Sequence, residues 1–204
     1  MNTGKPATVL IVGGLRDPAP EHWQQHLSRR LAARGVAVRM VLAPNENTLS
    51  CAVRVDAIAA AAAAIDGPIL LVAHSAAVMM VVHWAQRHSA NIQGALLVAP
   101  TDVENPLPPG APTTDELKAN GWLPIPRVRL PFASIVAASG NDPMVTSERA
   151  GEMATCWGSR FVPLGDVGHV NVASGFGDWP LAEQLLSELG VMPNIKPAPR
   201  TETS

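Results

Sequence analysis

Ile69–Val82 reads I-L-L-V-A-H-S-A-A-V-M-M-V-V, and the rest of the chain is organised around it. Ile69 to Ala73 is a short apolar run introduced by Gly67-Pro68, the pattern of a strand buried on both faces. Ala76 to Val82 continues apolar and is followed by His83, Trp84, Gln86 and Arg87, as in a buried helix running out to the surface. Ser75 stands at the reversal between the two, with Ala73 and Ala77 two positions to either side. A nucleophilic serine held in a strained strand-to-helix turn needs small flanks, because bulky ones clash in so tight a bend. The usual pattern has glycine at both flanks, and this chain has alanine. Small-x-Ser-x-small also arises by chance in alanine-rich sequences, so the motif needs partners elsewhere in the chain.

Outward from this stretch, Thr8–Val12 is a second apolar, β-branched run that ends in Gly13-Gly14. Glu21 to Arg34 is predicted as an amphipathic helix, with Trp23, Leu27, Leu31 and the stem of Arg30 at helical spacing and Gly35 as terminator. Val36–Leu42 is strand-like and closes on Pro44-Asn45. Ser50 to Ile65 is dominated by alanine, the strongest helix former, and Gly67-Pro68 stops it. After the central stretch comes Asn91–Ala99, containing the strand G-A-L-L-V-A. The order β-α-β-α-β-α-β predicts a parallel sheet with right-handed crossovers and helices on both faces. The period then breaks: from Thr101 to Pro131 none is sustained, and seven of the nineteen prolines fall between Pro106 and Pro131. So long an excursion past a strand end predicts a lid or pocket wall, the alternative being a surface loop with no role. Regularity returns with a strand at Ala133–Ala138, a helix at Ser147–Trp157, a strand at Arg160–Pro163 and a helix at Pro180–Leu189. Residues 1–190 are expected to form one domain, and the polar, proline-rich stretch 191–204 a frayed tail.

Composition narrows the function classes. Net charge is −2 and basic residues are scattered, which argues against nucleic acid or an anionic membrane as main partner. Cys51 and Cys156 lie far apart, without metal-ligand spacing, so neither a disulfide framework nor a metal site is expected. No apolar run reaches the ~18 residues of a membrane span, and the first residues lack a signal peptide's apolar stretch. A cytoplasmic protein, monomer or homodimer, is the expectation.

In an open parallel sheet, ligands bind beyond the carboxyl ends of the strands. Asp142 follows a strand in S-G-N-D-P, and His169 follows the last strand in L-G-D-V-G-H-V-N. With Ser75 they stand in the order Ser, Asp, His expected of α/β hydrolases. A serine hydroxyl is a poor nucleophile until a neutral imidazole takes its proton, and a carboxylate sets that imidazole's tautomer. Asp102, in A-P-T-D, also lies past a strand end; it comes one strand earlier than the acid usually does, and Asp142 is preferred. His26, His83 and His88 are expected to be partly exposed on helices, and the side chain of His74 to point away from the site. His22, beside Trp23, either lines the pocket or caps the first helix. Asp166 and Asn171 are expected to hold the His169 loop by hydrogen bonds. An oxyanion hole needs two backbone N–H donors. One is expected from Ala76, the other from Leu15 or Gly14. Gly13-Gly14 lacks the further residues of a nucleotide-binding loop.

The set G-G-L, E-H-W-Q, A-H-S-A-A, V-A-P, L-P-I-P-x-x-x-L-P-F, S-G-N-D-P, W-G-S, G-H-V-N and S-G-x-G-x-W-P resembles the RBBP9/YdeN-type serine hydrolase family. The resemblance runs from about Thr8 to Leu189. It implies a compact α/β-hydrolase fold, about six parallel strands with helices on both faces. It also implies Ser75 as nucleophile, Asp142 as acid and His169 as base, and places His22 and Trp23 near the pocket. Family members often carry glycine where this chain has Ala77, which bears on catalytic efficiency rather than on fold. The expected activity is hydrolysis of a small ester, thioester or amide through an acyl-enzyme, without metal or organic cofactor. Gly14, His22, Trp23 and Trp122 are expected to line the substrate pocket, Trp122 together with Leu123 and Ile125. The alternative is a hydrolase-fold protein that mainly binds a protein partner, supported by the alanines of the turn and the proline-rich excursion. Retention of all three catalytic residue types favours the enzyme.

Overall fold

The computed structural model describes residues 5–16, 18–41 and 49–190; the expectations for Leu42–Asn45 and for the tail from 191 lie outside them. In chain order the elements are β1 (Thr8–Val12), α1 (Trp23–Ala33), β2 (Val38–Val41), α2 (Cys51–Ala63), β3 (Ile69–His74) and α3 (Ala76–Arg87). β4 (Ile92–Val98), α4 (Thr114–Ala119), β5 (Ser134–Ala138), α5 (Ser147–Trp157), β6 (Arg160–Pro163) and α6 (Pro180–Leu189) follow. The strands form one sheet in the order β2-β1-β3-β4-β5-β6, every pair parallel.

All six residues of β3 are buried, the five of its apolar run and His74 after them. Leu71 and Ala73 pack with α2, α3 and α5 on one face; Leu70 and Val72 pack with α1 and α6 on the other. Each Leu or Val side chain here contributes roughly 1.5–3 kcal/mol on full burial, so the centre of the sheet is also its most strongly anchored part. Strand order reverses between β1 and β3: the chain leaves β1 for β2 on one side and returns to β3 on the other. The loops after β1 and β3 therefore diverge, opening the crevice where open sheets bind ligands.

Two local expectations change. β2 begins at Val38, because Val36 belongs to the stop of α1: Gly35 sits at φ +78° and the Val36 amide donates to the Leu31 carbonyl at 3.0 Å. The excursion after β4 contains α4, whose Thr113–Glu116 capping box satisfies its first amides. Six residues are too few for a hydrophobic period to show, although T-T-D-E carried the cap pattern. Among the described residues no helix is long and apolar enough to cross a membrane.

Candidate active site

Ser75 lies between the last residue of β3 and the first of α3, at φ 61° and ψ −132°. A non-glycine residue there is strained by about 1–3 kcal/mol and persists only where its surroundings hold it. The holding contacts are its amide, bonded to the Val98 carbonyl at 3.0 Å, and the fully buried Ala73 and Ala77 on either side. Ala77 is packed in the core, so its methyl group is accommodated in the turn. Ala99 and Val170 are the other non-glycine residues at positive φ among those described, and they follow β4 and His169. Backbone strain is thus concentrated at one edge of the sheet.

His169 bridges Ser75 and Asp142. Its Nδ1 lies 2.8 and 2.9 Å from the two Asp142 oxygens, and its Nε2 lies 2.8 Å from Ser75 Oγ. A carboxylate only accepts, so Nδ1 carries the proton and Nε2 offers its lone pair to the serine hydroxyl. Thr101 Oγ1, 3.1 Å from Ser75 Oγ, then donates to the serine oxygen. Asp142 is held by the Met144 amide at 2.8 Å. Asp102 makes no contact with this array; it accepts from Asn105 and Arg149. The His169 main chain is tied by its amide to Ser174 Oγ (3.1 Å), and Ser174 in turn donates to Asn171 Oδ1 (3.0 Å). Asn171 therefore holds the loop as expected, whereas Asp166 is exposed and makes no side-chain hydrogen bond among the described residues.

His74 departs from expectation. Its ring lines the cleft, 5.0 Å from the His169 ring, and its Nε2–H donates to the His169 carbonyl at 2.9 Å. The residue before the serine is thereby strutted directly to the residue bearing the imidazole. Burial, reinforced by the neighbouring His169 and His22, keeps His74 well below the usual histidine pKa and so neutral. His74 keeps the alternation of β3, packing against Trp23 of α1 on the face that Leu70 and Val72 share, and the His169 backbone meets it there.

Gly14 packs on the serine: a Cβ added to it would stand 3.7 Å from Ser75 Cβ. The buried Arg54 of α2 donates to the Leu15 carbonyl at 3.1 Å and to the Gly14 carbonyl at 3.5 Å. In a trans peptide the Leu15 N–H points opposite to the Gly14 carbonyl, hence away from Arg54. The Ala76 amide is an orphan donor at the start of α3. These loops border a cleft of about 510 Å³ over Ser75 and His169. Its far wall is Val103, Leu107, Pro108, Pro112 and Leu117, so the first half of the excursion shapes the cleft.

Gly14 and His22 line this cleft; Trp23 and Trp122 do not. Trp23 is buried behind it, edge-on to His74 and Trp179 at 5.9 and 5.1 Å. Trp122 is fully buried, its indole N–H donating to the Leu49 carbonyl at 2.6 Å. Its own carbonyl accepts from His83 at 2.9 Å, which buries His83 rather than leaving it at the surface. Leu123 and Ile125 pack against the same core as Trp122. A large indole with an N–H gains most where it is both sealed from water and hydrogen-bonded, and the second half of the excursion provides that. His74, Thr101 and Arg54 were not singled out as part of the site by the sequence. The 107–112 segment, L-P-P-G-A-P, lies within the excursion expected to form a lid or pocket wall, and it lines the cleft.

The protein-family model described as serine hydrolase matches residues 9–188. No curated protein sequence matches the chain. Among solved structures, a YdeN-like hydrolase from Pectobacterium atrosepticum is 26% identical with a TM-score of 0.75, covering 90% of this chain and 92% of its own. The ydeN product of B. subtilis is 18% identical with a TM-score of 0.68, over 90% and 98% of the two chains. The esterase domain of a Rhodothermus marinus protein is 17% identical with a TM-score of 0.61, over 87% and 84%. The last two share the fold. A six-stranded parallel sheet, a strained serine at its switch point and a family match over almost the whole described chain lead to one conclusion: this chain belongs to the YdeN-type serine hydrolase family, of α/β-hydrolase fold.

Proposed function

We propose that the protein hydrolyses a small ester, thioester or amide through an acyl-enzyme on Ser75. The observation that carries this reading is the continuous chain Asp142–His169–Ser75, each link at 2.8 Å, ending on a serine at positive φ. His169 Nε2 takes the proton as Ser75 Oγ bonds to the substrate carbonyl carbon. The carbonyl oxygen becomes an oxyanion, received by the Leu15 and Ala76 amides. Asp142 stabilises the imidazolium, which returns its proton to the departing alcohol, thiol or amine as the carbon–heteroatom bond breaks. Water then repeats the sequence, losing its proton to His169 and releasing the acid. Every step uses groups of this chain and water alone. The cleft is of a size for a small-molecule substrate, and its apolar far wall suits an acyl chain or an apolar leaving group.

Labelling with a fluorophosphonate, which captures an activated serine, tests the reading. Labelling is expected to vanish in Ser75→Ala and to fall sharply in His169→Ala and Asp142→Ala. A folded wild-type protein that takes no label and cleaves no acyl ester would overturn it in favour of a binding role.

A further inference from the structure

We propose that His22 is a fixed, uncharged hydrogen-bond donor in the cleft, selecting substrates that carry an uncharged acceptor oxygen (carbonyl, ether or hydroxyl) away from the scissile bond. The inference rests on the hydrolytic reading above and names the substrate class of that same site.

His22 is the N-cap of α1, and its Nδ1 accepts the Gln24 amide at 3.2 Å. A ring nitrogen that accepts carries no proton, so the neutral ring has its single proton on Nε2. Turning the ring over would present a C–H to the Gln24 amide and lose the cap. The ring is also wedged between Trp23 and His74, at centroid distances of 5.7 and 4.9 Å. The side chain is only 7% exposed, yet it lines the cleft. Nε2 has no hydrogen-bond partner among the described residues and is not one of the polar atoms sealed from solvent. Its N–H is therefore a donor with a fixed direction and no acceptor among the described residues.

Charge decides which acceptor suits it. Burial, with His169 nearby, pushes the His22 pKa down to about 4, so the ring is neutral at physiological pH. A neutral donor gives a substrate carboxylate no compensating charge for its lost water. An ammonium group fares no better: among the described residues lining the cleft there is no Asp or Glu, and the one formal charge is the exposed Arg16. A hydrocarbon placed against Nε2–H would strip its water and return nothing, which is the usual basis of discrimination by a buried polar group. An uncharged oxygen replaces that water at no charge cost.

The test compares purified wild type with two variants that separate the two nitrogens. His22→Asn keeps an oxygen near the Nδ1 position, hence the cap, and removes the donor from the cleft. His22→Gln extends an amide N–H toward the Nε2 position and gives up the cap. Two ester series are needed, one with an ether or ketone oxygen in the acyl chain and one with it in the alcohol, each against its matched hydrocarbon. The readout is the ratio of kcat/KM within a pair, which cancels general losses of activity or folding. In one of the two series the wild type is expected to favour the oxygen-bearing ester by about tenfold. The ratio should fall to near one in His22→Asn and recover in part in His22→Gln. A wild-type ratio near one in both series, or a preference that survives in His22→Asn, overturns the assignment of His22 while leaving hydrolysis intact. No cleavage of any ester, together with no fluorophosphonate labelling, overturns the hydrolytic reading and this inference with it.

Discussion

Asp102 and Asp142 are two carboxylates with nearly the same address. Each follows a strand of the same sheet, β4 or β5, and they are 5% and 8% exposed. They even share a neighbour: the Asp102 amide donates to the Met144 carbonyl, and the Met144 amide donates to Asp142 Oδ1. What separates them is the cation or proton donor opposite. Asp142 meets His169, whose other nitrogen reaches Ser75. Asp102 meets Arg149, which also binds Glu104 and Glu152, while Glu104 in turn binds Arg127. That network clamps the start and end of the 101–131 excursion onto α5. A permanent guanidinium makes a structural clamp, because its charge never changes; an imidazole can give and take a proton and so supports chemistry.

The largest test of this contrast is to neutralise each carboxylate in turn. Asp142→Asn should lower kcat by about 10⁴, since the amide favours the wrong tautomer of His169. Asp102→Asn should leave kcat within about threefold and instead cost about 1–3 kcal/mol in denaturant unfolding, by leaving Arg149 poorly paired. Equal losses of activity would erase the distinction.

Coupling sharpens it further. In a double-mutant cycle of unfolding free energies, Asp102→Asn and Arg149→Met should be non-additive by about 0.5–2 kcal/mol, because they share one interaction. Asp102→Asn combined with His169→Ala should add within about 0.5 kcal/mol. Coupling in the second pair would mean that the clamp and the site are one network through Met144.

Acid should distinguish the two sides as well. His74 and His22 are held neutral first by burial and then by the neighbouring His169, with His22 at about 4 against its usual 6.5. Folded-state pKa values below the unfolded one mean that the unfolded chain binds more protons below about pH 6.5. Their contribution is therefore complete above that pH and declines as pH falls toward the folded values, by at most about 1.4 kcal/mol per unit for each histidine. Thermal melts at pH 7.5 and 5 should show a fall in Tm that is smaller in His74→Gln. A fall of the same size in that variant would place the acid-sensitive group elsewhere.

The smallest expected effect concerns Thr101, which immediately precedes Asp102 but turns its hydroxyl to the serine. Thr101→Val should reduce kcat three- to tenfold with KM little changed, by freeing the serine oxygen that Thr101 orients. A stability loss without a kinetic one would assign Thr101 to the clamp side of the comparison.

Much of the architecture was legible in the chain because it depends on local signals. β1, α5, β6 and α6 occupy the ranges that their apolar runs and terminators predict. The strained turn at Ser75 follows from small flanks between a strand and a helix. The meeting of Ser75, Asp142 and His169 follows from chain order on a parallel sheet, whose strand ends share one edge. α4 stayed hidden because one and a half turns carry no period.

The layered α/β fold, the residue types at the strand ends and the preference for Asp142 over Asp102 could all be read along the chain. These are questions of hydrophobic period, turn chemistry and order along the chain. Which side chains face the cleft depended on the packing of distant segments. It buried Trp122 and set the His83 ring against the Trp122 carbonyl, brought His74 onto His169, and gave the cleft wall to Leu107 and the prolines beside it. The reason is that burial of a polar or aromatic side chain depends on finding a distant hydrogen-bond partner, such as Leu49 for Trp122, and no local pattern records where that partner will be.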